Sequence, residues 1–401
     1  MKRLFIIFLS IAMFMPLYAQ DEQTEDGKLN FARQHFGMGF GMGVDFANNI
    51  VSRADIFAKE IVIDFNEIED KLGDNGGGLD TSFFWDSFLT VKNIGIGGGR
   101  WDFTFSSGVD GSISGNLPKD LFTLIAEGNS DQSVFDGEVS IWGALFAEAG
   151  IGASAKFGKL RVGVRPTLFS PLMFIPKSGI NYRLDTSDGV KLTTSGDISV
   201  YSPFIEDGEL KFGFDLSADG TYALFPFLDV GGSLTHIPFV PPEVQNRMRL
   251  HMVEKTVGAS GQQLIDGEGL DDLDADIDFE EVYDSSVRRV FRPFRFDTFA
   301  RYKPFNTELF VLTPNIGFTV DINNGEGYFN AGLEIGVNLN NLFMPYLVMG
   351  RIEGLWKHRL GFALNFRAFE VDLEASLQSQ DFVSSFQMKG FGFGLGISFG
   401  W

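Results

Sequence analysis

The last twelve residues of the chain, GFGFGLGISFGW (390–401), alternate large apolar side chains with small ones. The large side chains are Phe391, Phe393, Leu395, Ile397, Phe399 and Trp401. Successive side chains of a β-strand point to opposite faces, so the pattern predicts a strand with one aromatic face and one nearly bare face. Such a strand needs an apolar medium on one side, and this requirement restricts the fold more than any other feature of the sequence.

Similar alternation recurs along most of the chain, between turns rich in Gly, Asp and Asn. We count about 14 such segments, within a range of about 12 to 16. No segment offers the run of about 20 apolar residues that a membrane-spanning helix needs, whereas a membrane-spanning strand needs only about 10 alternating residues. The sequence therefore predicts an all-β transmembrane antiparallel barrel.

The faces opposite the apolar ones carry charged side chains. They include Arg161, Arg165, Glu334, Arg367, Asp372 and Glu374. A soluble β-sandwich is the main alternative, but it needs one dry interior and one wet exterior. A wide barrel instead places the charged set in its lumen and the aromatic set against lipid, which favours the barrel.

The N-terminus has the three-part pattern of a secretory signal peptide, which we assign to residues 1–19. Lys2 and Arg3 precede an apolar run, and Ala19 is the expected cleavage point. The chain has no cysteine, which excludes a lipid-modified cysteine and disulfides. Without Lys2 and Arg3 the net charge falls from -21 to -23. So acidic a chain is a poor candidate for binding nucleic acid.

Three segments have helical patterns: 53–72, 117–128 and 242–257. The first carries an apolar stripe of Phe57, Ile61, Phe65, Ile68 and Leu72. We interpret this helix either as a plug inside the lumen or as a cap on one end of the barrel. The predicted organisation is a signal peptide (1–19), an N-terminal plug-like segment (20–80) and the barrel (81–401), with a helical and acidic loop insertion at 241–290.

Arginines and phenylalanines interleave directly after a long acidic run at 266–284. The set is Arg288, Arg289, Phe291, Arg292, Phe294 and Arg295. One interpretation is a loop base that pairs with the acidic run and with anionic lipid headgroups. The other is a ligand site, in which the guanidinium groups hold a carboxylate or phosphate and the aromatic rings hold an apolar tail. The stripe residues Phe57, Ile61 and Phe65 would then line the same path.

No set of residues in the sequence predicts catalysis or a metal site. Ser398 lies in a G-x-S-x-G pattern, but it is too close to the chain end for the helix and downstream partners that the motif needs. The four histidines are not at metal-ligand spacing. The acidic run lacks the glycine and the glutamate of a calcium loop at the required positions. We therefore predict no enzyme activity, no cofactor and no structural metal.

Two resemblances to known proteins point to the same architecture. The final strand, ending in Trp401, resembles the C-terminal strand of bacterial outer-membrane barrels, which implies recognition of residues 391–401 by the barrel-assembly machinery. GFGMGVDFANNIVSRADIFAKEIVIDFNEI, NLPKDLFTLIAEGN and LDVGGSLTHIPF resemble the FadL-like family, in a divergent and largely uncharacterised branch. That family implies a 14-stranded barrel with an internal N-terminal plug.

The resemblance implies an outer-membrane protein of a diderm bacterium that passively takes up small hydrophobic molecules such as long-chain fatty acids. The expected partners are outer-membrane lipid, the assembly machinery and a hydrophobic ligand. A surface-exposed structural or adhesin barrel, or a general porin-type barrel without a specific hydrophobic substrate, remains the alternative.

Overall fold

Extended backbone dominates the protein. The computed structural model describes residues 36–48, 76–96, 99–127, 134–187, 190–203, 210–259, 279–281, 286–305, 307, 309–366, 368–386 and 389–400. The helices among them are α1 (Lys119–Glu127) and the five-residue α2 (Phe382–Phe386). The strands are β1 (Phe36–Asn48), β2 (Gly77–Ile96), β3 (Gly99–Leu117), β4 (Val134–Phe157), β5 (Leu160–Asp185), β6 (Val190–Ser202), β7 (Gly213–Phe225), β8 (Leu228–Val240), β9 (Glu243–Ala259), β10 (Phe279–Glu281), β11 (Val287–Arg289), β12 (Phe294–Tyr302), β13 (Phe310–Asp321), β14 (Glu326–Val337), β15 (Phe343–Ile352), β16 (Leu355–Asn365), β17 (Phe369–Ser379) and β18 (Gly390–Gly400).

Fourteen of these strands close into an antiparallel barrel. The wall follows the order β1, β2, β3, β4, β5, β7, β8, β12, β13, β14, β15, β16, β17, β18. The last strand returns to the first, with Gly400 opposite Gly37 and Gly390 opposite Ala47. Because closure leaves no sheet edge, the wall pairs its own backbone polar groups, as hydrocarbon requires. The predicted all-β barrel of about 14 strands is confirmed.

The other four strands extend the sheet beyond one end of the wall. The first half of β5 pairs with β7, whereas its second half pairs with β6. β6 in turn pairs with β9 along most of its length, and β10 and β11 pair with the other side of β9. The sheet therefore divides at β5 into the barrel wall and a four-stranded extension.

The two ends of the barrel differ in the length of their connections. At the end where β1 begins and β18 finishes, two-residue turns join β4 to β5 (158–159) and β7 to β8 (226–227). At the opposite end, longer connections include 118–133, which contains α1, and 380–389, which contains α2. Outer-membrane barrels have short periplasmic turns and longer extracellular loops, so the second end corresponds to the extracellular side.

The final strand shows how the sequence alternation divides between the two faces of the wall. Phe391 and Phe393 are 52% and 53% exposed on the outer face, while Gly392 between them faces inward. A Cβ added to Gly392 would lie 1.7 Å from Asp45 Oδ1, and one added to Gly43 would lie 2.2 Å from the ring of Phe84. The inner face of β1 and β18 is therefore bare because charged and aromatic side chains of the lumen occupy that space.

Three sequence predictions need correction, one about the extension sheet and two about the wall. Residues 242–257, predicted as a helix, form β9, because pairing with β6 stabilises extended backbone that local periodicity did not reveal. The barrel begins at β1, so part of the plug-like segment 20–80 belongs to the wall and not to a plug. The alternation from Gly361 to Ala375 predicts one strand, but the chain turns at 366–368, where the Phe366 N–H donates to the Phe369 carbonyl (2.7 Å).

Other predictions are confirmed or lie beyond the described residues. The helix predicted at 117–128 is α1. The signal peptide (1–19), the helix at 53–72 and most of the acidic run fall outside the described residues. The described helices include none that is long and apolar enough to cross a membrane.

Candidate lumenal binding site

The barrel encloses a cavity of about 920 Å³ along its lumen. Its lining combines polar and aromatic side chains, among them Phe84, Trp142 and Tyr346. Small-molecule sites usually measure about 300–1,000 Å³, so this cavity is of ligand size. In the part of the chain that the structure describes, the lining also contains twelve acidic and seven basic side chains. The pairing of these charges determines most of the arrangement of the site.

The extracellular mouth is narrowed by residues 286–293, which we call the strap. The strap leads from the extension sheet into β12, and Val290 lies at its centre, fully buried. Val290 packs in an apolar cluster with Phe146, Phe169, Phe174 and Val244. Its N–H donates to the carbonyl of Pro242 (3.2 Å). Apolar burial and this backbone hydrogen bond hold the strap against the barrel wall.

The side chain of Arg292 extends from the strap into the lumen and is only 4% exposed. Its guanidinium donates a hydrogen bond to Glu148 of β4. Its Nη2 lies 3.4 Å from Asp110 Oδ1 of β3, and its Nη1 lies 3.5 Å from Asp215 Oδ2 of β7. Arg165 also faces Glu148, at 3.9 Å. Three carboxylates and two guanidinium groups thus form one charged cluster, which ties the strap to three strands of the wall.

A second set of contacts joins the strap to the β13–β14 turn on the far side of the mouth. Asn323 Nδ2 donates to the Phe291 carbonyl (2.6 Å), and the Phe291 N–H donates to Asn323 Oδ1 (2.9 Å). Arg288 donates to the Asn323 carbonyl (3.3 Å). The neighbouring Glu326 pairs with Lys177 of β5 (3.1 Å). The strap therefore bridges opposite sides of the mouth.

His236 marks an irregularity in the wall beside the strap. Its φ of 56° lies in the left-handed region, which costs a non-glycine residue roughly 1–3 kcal/mol. The pairing of β7 with β8 shifts register at this point, between Leu216 and Ala218. The imidazole Nδ1 lies 3.1 Å from the Pro293 carbonyl, so the bulge turns the ring toward the strap.

The structure separates the residues that the sequence grouped as a ligand site. Arg292 is buried among carboxylates, and Arg288 contacts the β13–β14 turn. Arg289 is exposed and pairs with Glu243. Arg295 faces the lumen and pairs with Asp297, while Phe294 occupies the same face of β12 as the exposed Phe296.

These side chains do not converge on one point. The geometry therefore does not support the prediction that their guanidinium groups bind one carboxylate or phosphate together, and it stays a prediction. Phe57, Ile61 and Phe65 fall outside the described residues. The sequence did not reveal Asp110, Glu148 and Asp215 as partners of Arg292. The sequence feature that could have indicated such a partner is a carboxylate within an otherwise apolar strand, as Glu148 is in β4.

A further polar cluster lines the wall near the closure of the barrel. Lys357 Nζ lies 3.5 Å from Asp45 Oδ2, and Ser376 donates to Asp45 Oδ1 (2.7 Å). The Tyr346 hydroxyl lies 3.0 Å from Asp372 Oδ1 and 3.1 Å from Glu374 Oε2. These contacts cross β1, β15, β16 and β17, so polar side chains fill this side of the lumen.

A serine–histidine pair lies on the outer surface near the extracellular end. His358 Nε2 is 2.7 Å from Ser385 Oγ, and the hydroxyl of Ser385 donates to the Phe382 carbonyl (2.6 Å). The single hydroxyl proton is thus used, so the imidazole donates to the serine instead of activating it. Ser385 is fully buried, and His358 Nδ1 has no hydrogen-bond partner among the described residues. The pair holds α2 on the barrel.

The described residues also contain no group of three or more acidic, histidine or cysteine side chains placed to hold a metal ion.

Taken together, a closed 14-stranded wall, an aromatic outer face and a charged lumen define a transmembrane β-barrel.

No protein-family model and no curated protein matches the chain. Among solved structures, a FadL homologue from Pseudomonas aeruginosa has a TM-score of 0.50 at 10% identity and covers 96% of this chain and 95% of its own. The toluene transporter TbuX from Ralstonia pickettii has a TM-score of 0.45 at 9% identity, covering 94% and 93%. The Pseudomonas putida toluene transporter TodX has a TM-score of 0.42 at 11% identity, covering 95% and 93%. The first of these likenesses shows that the chain shares its fold with that FadL homologue.

Proposed function

We propose that this protein takes up small hydrophobic molecules across the outer membrane without covalent chemistry. The observation that carries the proposal is the cavity of about 920 Å³ inside a closed barrel whose mouth the strap narrows. A cavity of ligand size with aromatic walls suits binding and release of single molecules better than bulk flow. The fold shared with the FadL homologue supports the same class of function.

Within that class, the family resemblance implies long-chain fatty acids, and two of the similar structures are toluene transporters. We also propose that the barrel-assembly machinery recognises residues 391–401, most of which belong to β18.

The test uses Gly336, which lines the cavity and has nothing within 4 Å of an added Cβ. Gly336→Trp fills ligand volume without a backbone clash. Gly95→Trp is the matched control, because Gly95 also has open space around it but does not line the cavity. Equilibrium dialysis of radiolabelled naphthalene against detergent-solubilised protein, corrected for empty micelles, measures binding. We expect saturable binding that Gly336→Trp reduces and Gly95→Trp leaves unchanged. Equal binding by both variants would contradict a lumenal site.

A second candidate function is porin-type passage of polar solutes, which the charged lining favours. Single-channel conductance in planar bilayers discriminates between the two. A large, steady conductance that is insensitive to naphthalene supports the porin, whereas small conductance together with saturable binding supports specific uptake.

A further inference from the structure

The charge of the cavity lining bears on which hydrophobic molecules the barrel can accept. Among the described residues, twelve acidic and seven basic side chains line the cavity, a net charge of -5 with histidine neutral. Even if every lining cation pairs with a lining carboxylate, five carboxylates have no lining cation to balance them. A cleft lined by one sign of charge within walls of low dielectric constant attracts counter-ions and repels ions of its own sign.

The basic side chains of the lining are largely engaged with the protein itself. Five of the seven lie within 3.9 Å of a protein carboxylate: Arg165, Arg292, Arg295, Lys357 and Arg359. A carboxylate or phosphate ligand would have to break such a pair before it could use the cation. The cost would include leaving a protein carboxylate buried without its partner.

The charged cluster around Arg292 shows the same imbalance at close range. Two guanidinium groups, of Arg292 and Arg165, face three carboxylates there. Asp215 is 1% exposed, and its Oδ1 accepts no hydrogen bond from the described residues. The cluster around Arg292 therefore also carries excess negative charge.

Aromatic side chains of the same lining can accept a cation on their faces. Lys177 already places its Nζ 4.9 Å from the centroid of the Trp142 ring. Contacts of this kind contribute roughly 0.5–2 kcal/mol, and the apolar body of a ligand can pack on the same rings. Negative charge and aromatic surface together favour a ligand with an apolar body and a cationic or neutral polar end.

We infer that the lumen discriminates by head group: it accepts apolar molecules that are neutral or carry an ammonium group, and it disfavours apolar carboxylates. This inference rests on the proposed function and narrows it. It reverses the charge preference that the arginine-rich sequence 288–295 suggested.

The experiment compares three ligands with the same alkyl chain and different head groups: dodecylamine, dodecanol and dodecanoate. Binding is measured at neutral pH by equilibrium dialysis against the full chain in a non-ionic detergent, with empty micelles as the blank. We expect dodecylamine to bind at least about tenfold more tightly than dodecanoate, which corresponds to about 1.4 kcal/mol. Dodecanol should fall between them, and added salt should reduce the difference.

Asp219→Asn tests whether lumenal charge causes the preference, because Asp219 lines the cavity and asparagine has nearly its shape. Asp185→Asn is the matched control, since Asp185 lies at the end of β5 and does not line the cavity. We expect the first variant to lower the preference for the amine about two- to threefold and the second to leave it unchanged.

The possible outcomes separate the two claims. Equal or tighter binding of dodecanoate would overturn the inference while leaving hydrophobic uptake intact. A preference that both variants lower equally would also overturn it, because the cause would not be lumenal charge. If none of the three ligands binds, the proposed function fails and the inference fails with it.

Discussion

Replacing Arg292 with methionine is the most informative single perturbation of this barrel. Methionine keeps most of the side-chain length and removes only the charged group. The guanidinium is 4% exposed and faces Glu148, Asp110 and Asp215, whose side chains are 6%, 45% and 2% exposed. Among the described residues, the cation that then remains near those three carboxylates is Arg165, at 3.9 Å from Glu148.

The magnitude follows from the burial of this cluster. Removing one partner of a buried ion pair typically costs 3–5 kcal/mol, because the remaining charge stays desolvated without compensation. We therefore expect Arg292→Met to lower the free energy of unfolding by about 3–5 kcal/mol. Glu148→Gln in the same chain removes one of the unbalanced charges, so the double variant should recover at least about 1 kcal/mol relative to the sum of the single effects.

Urea unfolding in detergent micelles, followed by tryptophan fluorescence, measures these free energies. Arg289→Met is the matched control, because its pair with Glu243 is exposed and exposed pairs contribute about 0–1 kcal/mol. A loss below about 1 kcal/mol for Arg292→Met, or strictly additive effects in the double variant, would refute the argument that the strap is anchored by this cluster.

Three further predictions concern the wall. Gly392→Ala should lower the free energy of unfolding by about 1–3 kcal/mol, because its Cβ would meet Asp45 Oδ1 at 1.7 Å, whereas Gly95→Ala, with open space, should be neutral in the same urea titration. Phe393→Arg places a charge on the lipid-facing side and should cost about 2–4 kcal/mol when unfolding is measured from lipid bilayers; a cost near zero would mean that this face is wet. Phe399→Ala should reduce the amount of folded barrel in the outer membrane while refolding from urea into detergent is unaffected; equal loss in both assays would indicate a folding defect and not a recognition defect.

The strands were predictable where one face of the sheet meets an apolar medium. In β18, period-two alternation follows from that asymmetry, and the structure confirms the strand. Local patterns failed where pairing partners lie far away in sequence. β9 has no strict alternation, and its extended form depends on β6, about 50 residues earlier in the chain. The turn at 366–368 was missed because the apolar positions before and after it fit one strand whose alternation shifts by one residue.

The candidate site was much less predictable than the strands. The sequence indicated Arg288 to Arg295 as one basic and aromatic group, but the barrel sends these side chains in different directions. Arg292 meets Asp110, Glu148 and Asp215, which come from three strands and lie up to 182 residues away. No local spacing encodes such contacts, because the barrel brings the strands together only when it closes.

The sequence by itself determined that the chain forms membrane-facing β-strands, since alternation of large apolar and small or charged residues is a local property of each strand. It also determined the approximate strand number, from the count of alternating segments. The tertiary structure alone decided which charges neutralise each other in the lumen. Closure fixes the register between distant strands, and that register places the guanidinium of Arg292 among carboxylates and leaves the lining with excess negative charge.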